Sequence, residues 1–218
     1  MSGLALPAGW WIALWVMGAL ALLSAARFLP YRVLWNSPTA QHLFFAACLG
    51  LTLLWSVRAG ITPGLGVHFL GVTALTLMVG WPLAIVATLV ASGLNALFGL
   101  IEPSLVPFEF VLNGVVPVAV SHWVRLVLER LFPPHLFVYL LGCGFAGGVL
   151  AGLASRGATA AVLVLAAAYS GDRVAGELGV IMALTTLPEG VINGMIVTVM
   201  AVYRPEWVKE FDDSRYLG

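Results

Sequence analysis

The chain has 218 residues, of which 61% are hydrophobic and only 9% are charged. Soluble domains carry about 25% charged residues, so this composition excludes a solvated globule and predicts a polytopic protein of the lipid bilayer. Ten basic and ten acidic residues balance each other, which gives no indication of a nucleic-acid partner. The two cysteines, Cys48 and Cys143, lie in apolar runs, where we expect packing residues and not a disulfide.

Apolar stretches predict the transmembrane helices, because a spanning helix needs about 20 mainly apolar residues. In chain order the predicted spans are 9–25, 41–57, 66–79, 82–100, 107–131, 136–154 and 179–203. The apolar part of 157–178 is too short to cross alone, so we expect it to extend a neighbouring helix or to form a re-entrant piece. The sequence thus predicts an all-α bundle of six to seven transmembrane helices.

The distribution of basic residues predicts the orientation. A single transmembrane domain would comprise residues 1–203, followed by a short polar tail at 204–218. With the N-terminus outside, the outer side receives only Arg58, Arg156 and Arg173, and the other seven basic residues fall inside. Because basic loops stay in the cytoplasm, we expect the N-terminus outside and the C-terminus inside a bacterial-type inner membrane.

Two segments, EFVLNG at 109–114 and EGVING at 189–194, share the pattern Glu-x-Val-[Leu/Ile]-Asn-Gly inside apolar sequence. Residues four apart on a helix lie on one face, so each segment presents a carboxylate and an amide in the same direction. The glycine after each asparagine would let a neighbouring backbone approach closely. Ionisable residues inside spans are costly and usually face an interior or a cavity, which makes both pairs candidates for a functional site.

The candidate ligands suit a divalent transition metal ion, since they combine imidazole, carboxylate and amide groups. They are His68, Glu109, Asn113, Glu189 and Asn193. The alternative is that the two pairs only hydrogen-bond between helices. His122 and Asn95 are further candidates, although His122 falls on roughly the opposite helix face from Asn113 and is expected at the headgroup level.

The order of several short motifs along the chain resembles the CbiM-type proteins, the substrate-specific permease components of energy-coupling factor transporters for cobalt and nickel. The similar segments are LPAG at 6–9, GVHFLG at 66–71, GWP at 80–82, NALFG at 95–99, FVLNG at 110–114 and LPEGVING at 187–194. The resemblance implies a metal permease that works with a separate transmembrane coupling subunit and ATPases. No phosphate-binding loop occurs in the chain, so a partner would have to hydrolyse ATP.

The chain also departs from that family. CbiM-type proteins begin Met-His and use the N-terminal amine and that histidine to bind metal, whereas Ala5 aligns with the histidine here. Only His68 carries over as a family ligand. At the family's glutamate in the last helix this chain has Asn193, and Glu189 occupies a position that is apolar in the family.

Three functions are consistent with these features. The first is a membrane permease that binds a divalent transition metal ion for uptake. The second is a membrane-embedded metalloenzyme with a di-metal carboxylate and histidine site, although the Glu-x-x-His spacing of such bundles is missing. The third is a structural subunit, and a homo-oligomer is compatible with each of them.

Overall fold

The computed structural model describes residues 4–58, 62 and 64–209. Within these residues the fold is all-helical, as predicted. Eight helices are described there: α1 (Ala8–Phe28), α2 (Tyr31–Asn36), α3 (Pro38–Ser56), α4 (Val72–Val79), α5 (Trp81–Leu97), α6 (Pro103–Leu131), α7 (Val138–Leu165) and α8 (Gly171–Tyr203). Two of them contain π-helical segments, Phe110–Val115 in α6 and Val138–Ala146 in α7.

Five of the described helices, α1, α3, α6, α7 and α8, are long and apolar enough to cross a membrane. The most apolar stretches of α6 and α7 are 56% and 50% buried, whereas those of the other three are 17–22% buried. The helices α6 and α7 therefore form the inside of the bundle. Large apolar side chains are exposed on the peripheral helices, as expected where helices contact lipid, for example Leu53 on α3 and Leu184 on α8.

The third predicted span is shorter than the sequence suggested. Residues 66–71 are not helical, and α4 has only eight residues, all of them buried. Gly71 adopts a left-handed φ of 64°, which favours glycine and ends the extended segment. The backbone N–H groups at this point bind side chains of α8, so the segment does not need helical hydrogen bonds here.

The ambiguous region 157–178 divides between two helices. Its first part extends α7 to Leu165, a turn follows, and α8 begins at Gly171. The extension predicted as one possibility is thus observed. Beyond α8, Val208 is buried and the backbone N–H of Lys209 donates to the carbonyl of Met78, so this part of the predicted tail packs on the end of α4. The rest of the tail lies outside the described residues.

Glycines bring α7 and α8 into close contact. A Cβ placed on Gly148 would lie 3.2 Å from the Cα of Gly190, and one on Gly144 would lie 3.4 Å from the Cα of Gly194. The close approach expected at the glycine after Asn193 is thus confirmed, and small residues are typical where transmembrane helices meet closely. As a consequence, the side chains of Glu189 and Asn193 on α8 reach the backbone at the start of α4.

Candidate metal-binding cavity

A cavity of about 310 Å³ lies between the end of α3, the non-helical segment before α4, and helices α6, α7 and α8. Its wall combines polar and apolar side chains. The polar residues that line it are Arg58, Thr62, His68, Glu102, Glu109, Asn113, Ser155, Arg156 and Thr159. A concave site with a few converging polar groups is the usual form of a small-ligand site.

Glu109 is the centre of the hydrogen-bond network in this cavity. Its Oε1 accepts from Nη1 of Arg58 at 2.6 Å, and its Oε2 accepts from Nδ2 of Asn113 at 2.9 Å. Asn113 in turn accepts a hydrogen bond from the hydroxyl of Ser155, with 2.9 Å between the oxygens. The pair begins a π-helical turn, Phe110–Val115, a feature that is frequent at functional sites.

His68 faces the same carboxylate from the extended segment. Its side chain is buried against the ring of Trp55, with 5.0 Å between the ring centroids. Nδ1 lies 3.1 Å from the carbonyl oxygen of Phe69, and Nε2 lies 3.4 Å from Oε2 of Glu109. If Nδ1 carries the proton and donates to that carbonyl, the Nε2 lone pair points towards the carboxylate.

Two electron-pair donors that face each other are a natural pair of metal ligands. Imidazole nitrogen and carboxylate oxygen bind zinc-like ions at about 2.0–2.2 Å, so two ligands of one tetrahedral ion lie roughly 3.3 Å apart. The separation of Nε2 in His68 and Oε2 in Glu109 is 3.4 Å. This geometry is compatible with one metal ion shared by both side chains.

The second Glu/Asn pair has a different environment. The Glu189 carboxylate accepts hydrogen bonds from the backbone N–H groups of Leu70 and Gly71, at 2.8 and 2.9 Å, and from Nδ2 of Asn193 at 2.7 Å. Oδ1 of Asn193 accepts from the backbone N–H of Ala74 at 2.8 Å. The pair therefore caps the N-terminal end of α4, where a negative charge is favoured by the unpaired N–H groups.

Two arginines of the cavity wall were not among the candidates from sequence. Arg58 was counted as an outer loop residue, but it follows α3 directly and pairs with Glu109. Arg156 was also counted as an outer loop residue, whereas it lies inside α7 and is only 5% exposed. The sequence does contain a signal for Arg156 as a site residue, because it is a charged residue between Ser155 and Gly157 in an otherwise apolar helical run.

The remaining sequence candidates lie elsewhere. The ring of His122 packs against Trp81, with 5.8 Å between the centroids. Asn95 is fully buried in α5, where its Nδ2 donates to the carbonyl of Ala91. Neither residue lines the cavity.

A family model for the cobalt uptake substrate-specific transmembrane region, CbiM, matches residues 1–207. The chain belongs to the CbiM family. No curated protein and no solved structure matches it. The resemblance found in the sequence is thereby confirmed, and this CbiM protein is a multi-pass membrane protein of a family that takes up cobalt or nickel.

At the N-terminal end, this CbiM protein packs apolar side chains near the cavity. Leu4 and Leu6, on either side of Ala5, are buried. A Cβ on Gly64, which borders the cavity, would lie 3.1 Å from Cδ2 of Leu4. Residues 1–3 lie outside the described residues. Ala5, which aligns with the family's histidine, is itself exposed, so the apolar contact beside the cavity comes from its neighbour Leu4.

Within the described part of this CbiM protein, no group of three or more His, Cys, Asp or Glu side chains could hold a metal ion together. The cavity offers one imidazole, one carboxamide and two carboxylates, of which that of Glu102 is exposed, together with two guanidinium groups. A metal ion bound there would take few ligands from these side chains. Its other ligands would have to come with the substrate or from solvent.

Proposed function

We propose that this chain is the membrane-embedded substrate-binding component for uptake of a divalent transition metal ion, and that the ion binds in the cavity between His68 and Glu109. The observation that carries the proposal is the 3.4 Å separation of Nε2 in His68 and Oε2 in Glu109 at the cavity wall. Membership in a cobalt-uptake family supports the same substrate class.

Neighbouring side chains would prepare this pair for the ion. The bond from Arg58 to Oε1 of Glu109 keeps the carboxylate charge balanced and leaves Oε2 directed towards His68. Asn113 donates to Oε2 and is itself held by Ser155, which fixes the carboxylate orientation. Asn113 could become a third ligand through its carbonyl oxygen only if its amide group turned over, because the nitrogen faces Glu109 and the oxygen faces Ser155.

Glu189 and Asn193, which the sequence also suggests as ligands, fit better as positioning residues. Their hydrogen bonds hold the backbone of Leu70, Gly71 and Ala74, immediately after His68 and Phe69. They would thus fix the segment that carries the metal-binding imidazole. Partners of this kind are typically worth about 10- to 100-fold in metal affinity.

The three arginines that the sequence places on the outer side lie together at one end of the bundle interior or beside it. Arg58 and Arg156, both expected on the outer side, line the cavity. Arg173, the third, donates to Thr62 at its rim, with 3.4 Å between the atoms. We therefore propose that the cavity faces the outside, and that a coupling subunit and ATPases of other chains drive transport from the cytoplasmic side.

Metal binding by single variants tests this proposal. The purified full chain would be dialysed against Co²⁺, Ni²⁺ or Zn²⁺, and the bound metal measured by mass spectrometry. We expect His68→Ala and Glu109→Gln each to weaken binding by about 10-fold or more, because each removes one of two proposed ligands. His42→Ala, at an exposed histidine on α3, is the control and should bind like the wild type.

The double variant Glu109→Gln/Glu189→Gln separates direct from indirect effects. If Glu189 only positions the backbone, adding Glu189→Gln to Glu109→Gln should clearly lower the unfolding temperature. The further loss of metal affinity should be small. Wild-type metal content in both His68→Ala and Glu109→Gln would contradict the proposed site.

A further inference from the structure

The charges around the cavity are poorly suited to a bare cation. Arg58 is neutralised by Glu109, and Glu102 lies exposed at the rim. Arg156 adds a further positive charge to the wall, yet among the described residues it has no acidic partner within ion-pair distance. A divalent cation placed in this cavity would meet at short range a guanidinium that no ion pair neutralises, although the Glu189 carboxylate lies nearby. Coulomb's law makes that approach unfavourable in a buried site.

Arg156 also has unused hydrogen-bond donors. Its Nη1 donates to the carbonyl of Gly152 at 3.2 Å. Its Nε and Nη2 are buried, and neither has a hydrogen-bond partner in the described part of the chain. Both oxygens of the nearby Glu189 already accept hydrogen bonds from the backbone. Burial of an unpaired guanidinium is costly, so its free donors require a bound water, an ion or a ligand.

The unpaired atoms have the arrangement that binds a carboxylate. Nε–H and one N–H of Nη2 point in the same direction from one edge of the guanidinium plane. That edge forms two parallel hydrogen bonds with the two oxygens of a carboxylate. Nη2 of Arg58, on the same cavity wall, is also buried without a partner. Both arginines line the cavity, and together they have three donor atoms without a partner among the described residues.

We propose that the cavity accepts the metal as a complex with a small carboxylate-bearing chelator, and that a carboxylate of the chelator binds Arg156. This inference rests on the proposed metal site at His68 and Glu109. The chelator would supply the ligands that those two side chains leave open and the negative charge that the arginines require. The cavity volume of about 310 Å³ lies at the lower end of the range of small-ligand sites.

Three probes show whether the cavity binds the bare ion, the chelate or the free carboxylate. They are Co²⁺ as chloride, the one-to-one Co²⁺–citrate complex, and citrate alone. Each would be titrated by equilibrium dialysis against the purified full chain in a non-coordinating buffer, with cobalt and radiolabelled citrate counted separately. We expect cobalt and citrate to bind in equal amounts, with the complex bound at least about 10-fold more tightly than bare Co²⁺, since charged hydrogen bonds of this kind contribute roughly that factor.

Variants of Arg156 locate the carboxylate. Arg156→Gln should weaken binding of the complex by about 10- to 100-fold, and it should leave bare Co²⁺ binding unchanged or tighter. Arg156→Lys should weaken it less, because it keeps the charge and loses the two-pronged contact. Arg204→Gln, at an exposed arginine near the end of α8, is the control. Unfolding temperatures of all variants would show that they are folded.

The outcomes separate this inference from the proposed function. If citrate only reduces cobalt binding in proportion to the free ion, and Arg156→Gln does not weaken binding of the Co²⁺–citrate complex, the chelate inference is wrong while the metal site stands. If citrate binds equally well without cobalt and His68→Ala has no effect, the anion site at Arg156 is supported and the metal site is wrong. Absence of binding for all three probes to folded protein contradicts both.

Discussion

The segments 109–114 and 189–194 have nearly the same sequence and different surroundings. In both, the asparagine amide donates to the carboxylate four residues earlier, at 2.9 Å in the first and 2.7 Å in the second. The first carboxylate meets the side chains of Arg58 and His68 at a cavity. The second meets only backbone N–H groups at the start of α4, besides its own asparagine.

The same local pattern thus stands in two environments, which differ in how the carboxylate is satisfied. A carboxylate that accepts several backbone N–H groups is satisfied by the fold itself and has little capacity left for a ligand. A carboxylate held by side chains at a cavity can exchange one of these partners for a ligand. We therefore expect substitutions in 189–194 to affect mainly stability and substitutions in 109–114 to affect mainly binding. Matched substitutions in both segments can measure this difference.

The largest difference is expected for the two glutamates. Glu189→Ala removes an acceptor from two buried backbone N–H groups, which should lower the free energy of unfolding by about 3 kcal/mol or more. Glu109→Ala leaves Arg58, whose side chain is 19% exposed, able to bind water in the cavity, so we expect a loss of about 1 kcal/mol. Thermal unfolding of the purified chain, followed by tryptophan fluorescence, measures both. Equal losses would mean that the two segments do not differ as described.

A smaller difference is expected for the two asparagines. Asn193→Ala leaves the backbone N–H of Ala74 without its acceptor in a fully buried place, at a cost of about 2 kcal/mol. Asn113→Ala should cost less stability, because the residue is only partly buried, and should instead weaken metal binding by about 10-fold. The same unfolding and dialysis measurements apply. A loss of metal affinity in Asn193→Ala at unchanged stability would reverse the assignment.

The smallest effects are expected for the two glycines. A Cβ at Gly114 would lie 2.8 Å from the Cβ of Thr88, so Gly114→Ala forces α5 and α6 apart and should cost about 1 kcal/mol. A Cβ at Gly194 would lie 3.2 Å from the Cβ of Phe145, a contact that a small shift relieves. We expect Gly194→Ala to cost less than Gly114→Ala in the same unfolding assay. The reverse order would show that the contact between α7 and α8 is the tighter one.

Several helices of the fold agree with the predictions from sequence. Apolar stretches predicted the first two spans and the helices that end at Leu131 and Tyr203, because length and hydropathy alone decide whether a helix can cross lipid. The prediction of the third span was wrong because of a contact with a distant part of the chain. Residues 66–71 are apolar enough for a helix, but their backbone hydrogen bonds go to Glu189, which is distant in sequence.

The candidate site was predicted in part. Helical spacing placed each asparagine beside its glutamate, and the family resemblance indicated His68. Arg58 and Arg156 were missed as site residues because the sequence shows only that they flank or interrupt apolar runs. Their position at one cavity depends on how α3, α6 and α7 pack, which residue spacing along a single chain does not show.

By itself, the sequence determined that this protein is an all-helical membrane bundle of CbiM type, and that each Glu/Asn pair shares one helix face. Composition and a period of 3.6 residues are properties of a single helix, so they can be obtained without knowing its neighbours. Only the tertiary structure decided that one pair faces His68 and Arg58, that the other caps α4, and that Arg156 is buried beside the cavity. These outcomes depend on which helices meet, and close contact at glycines such as Gly148 and Gly190 brings α8 within reach of α4.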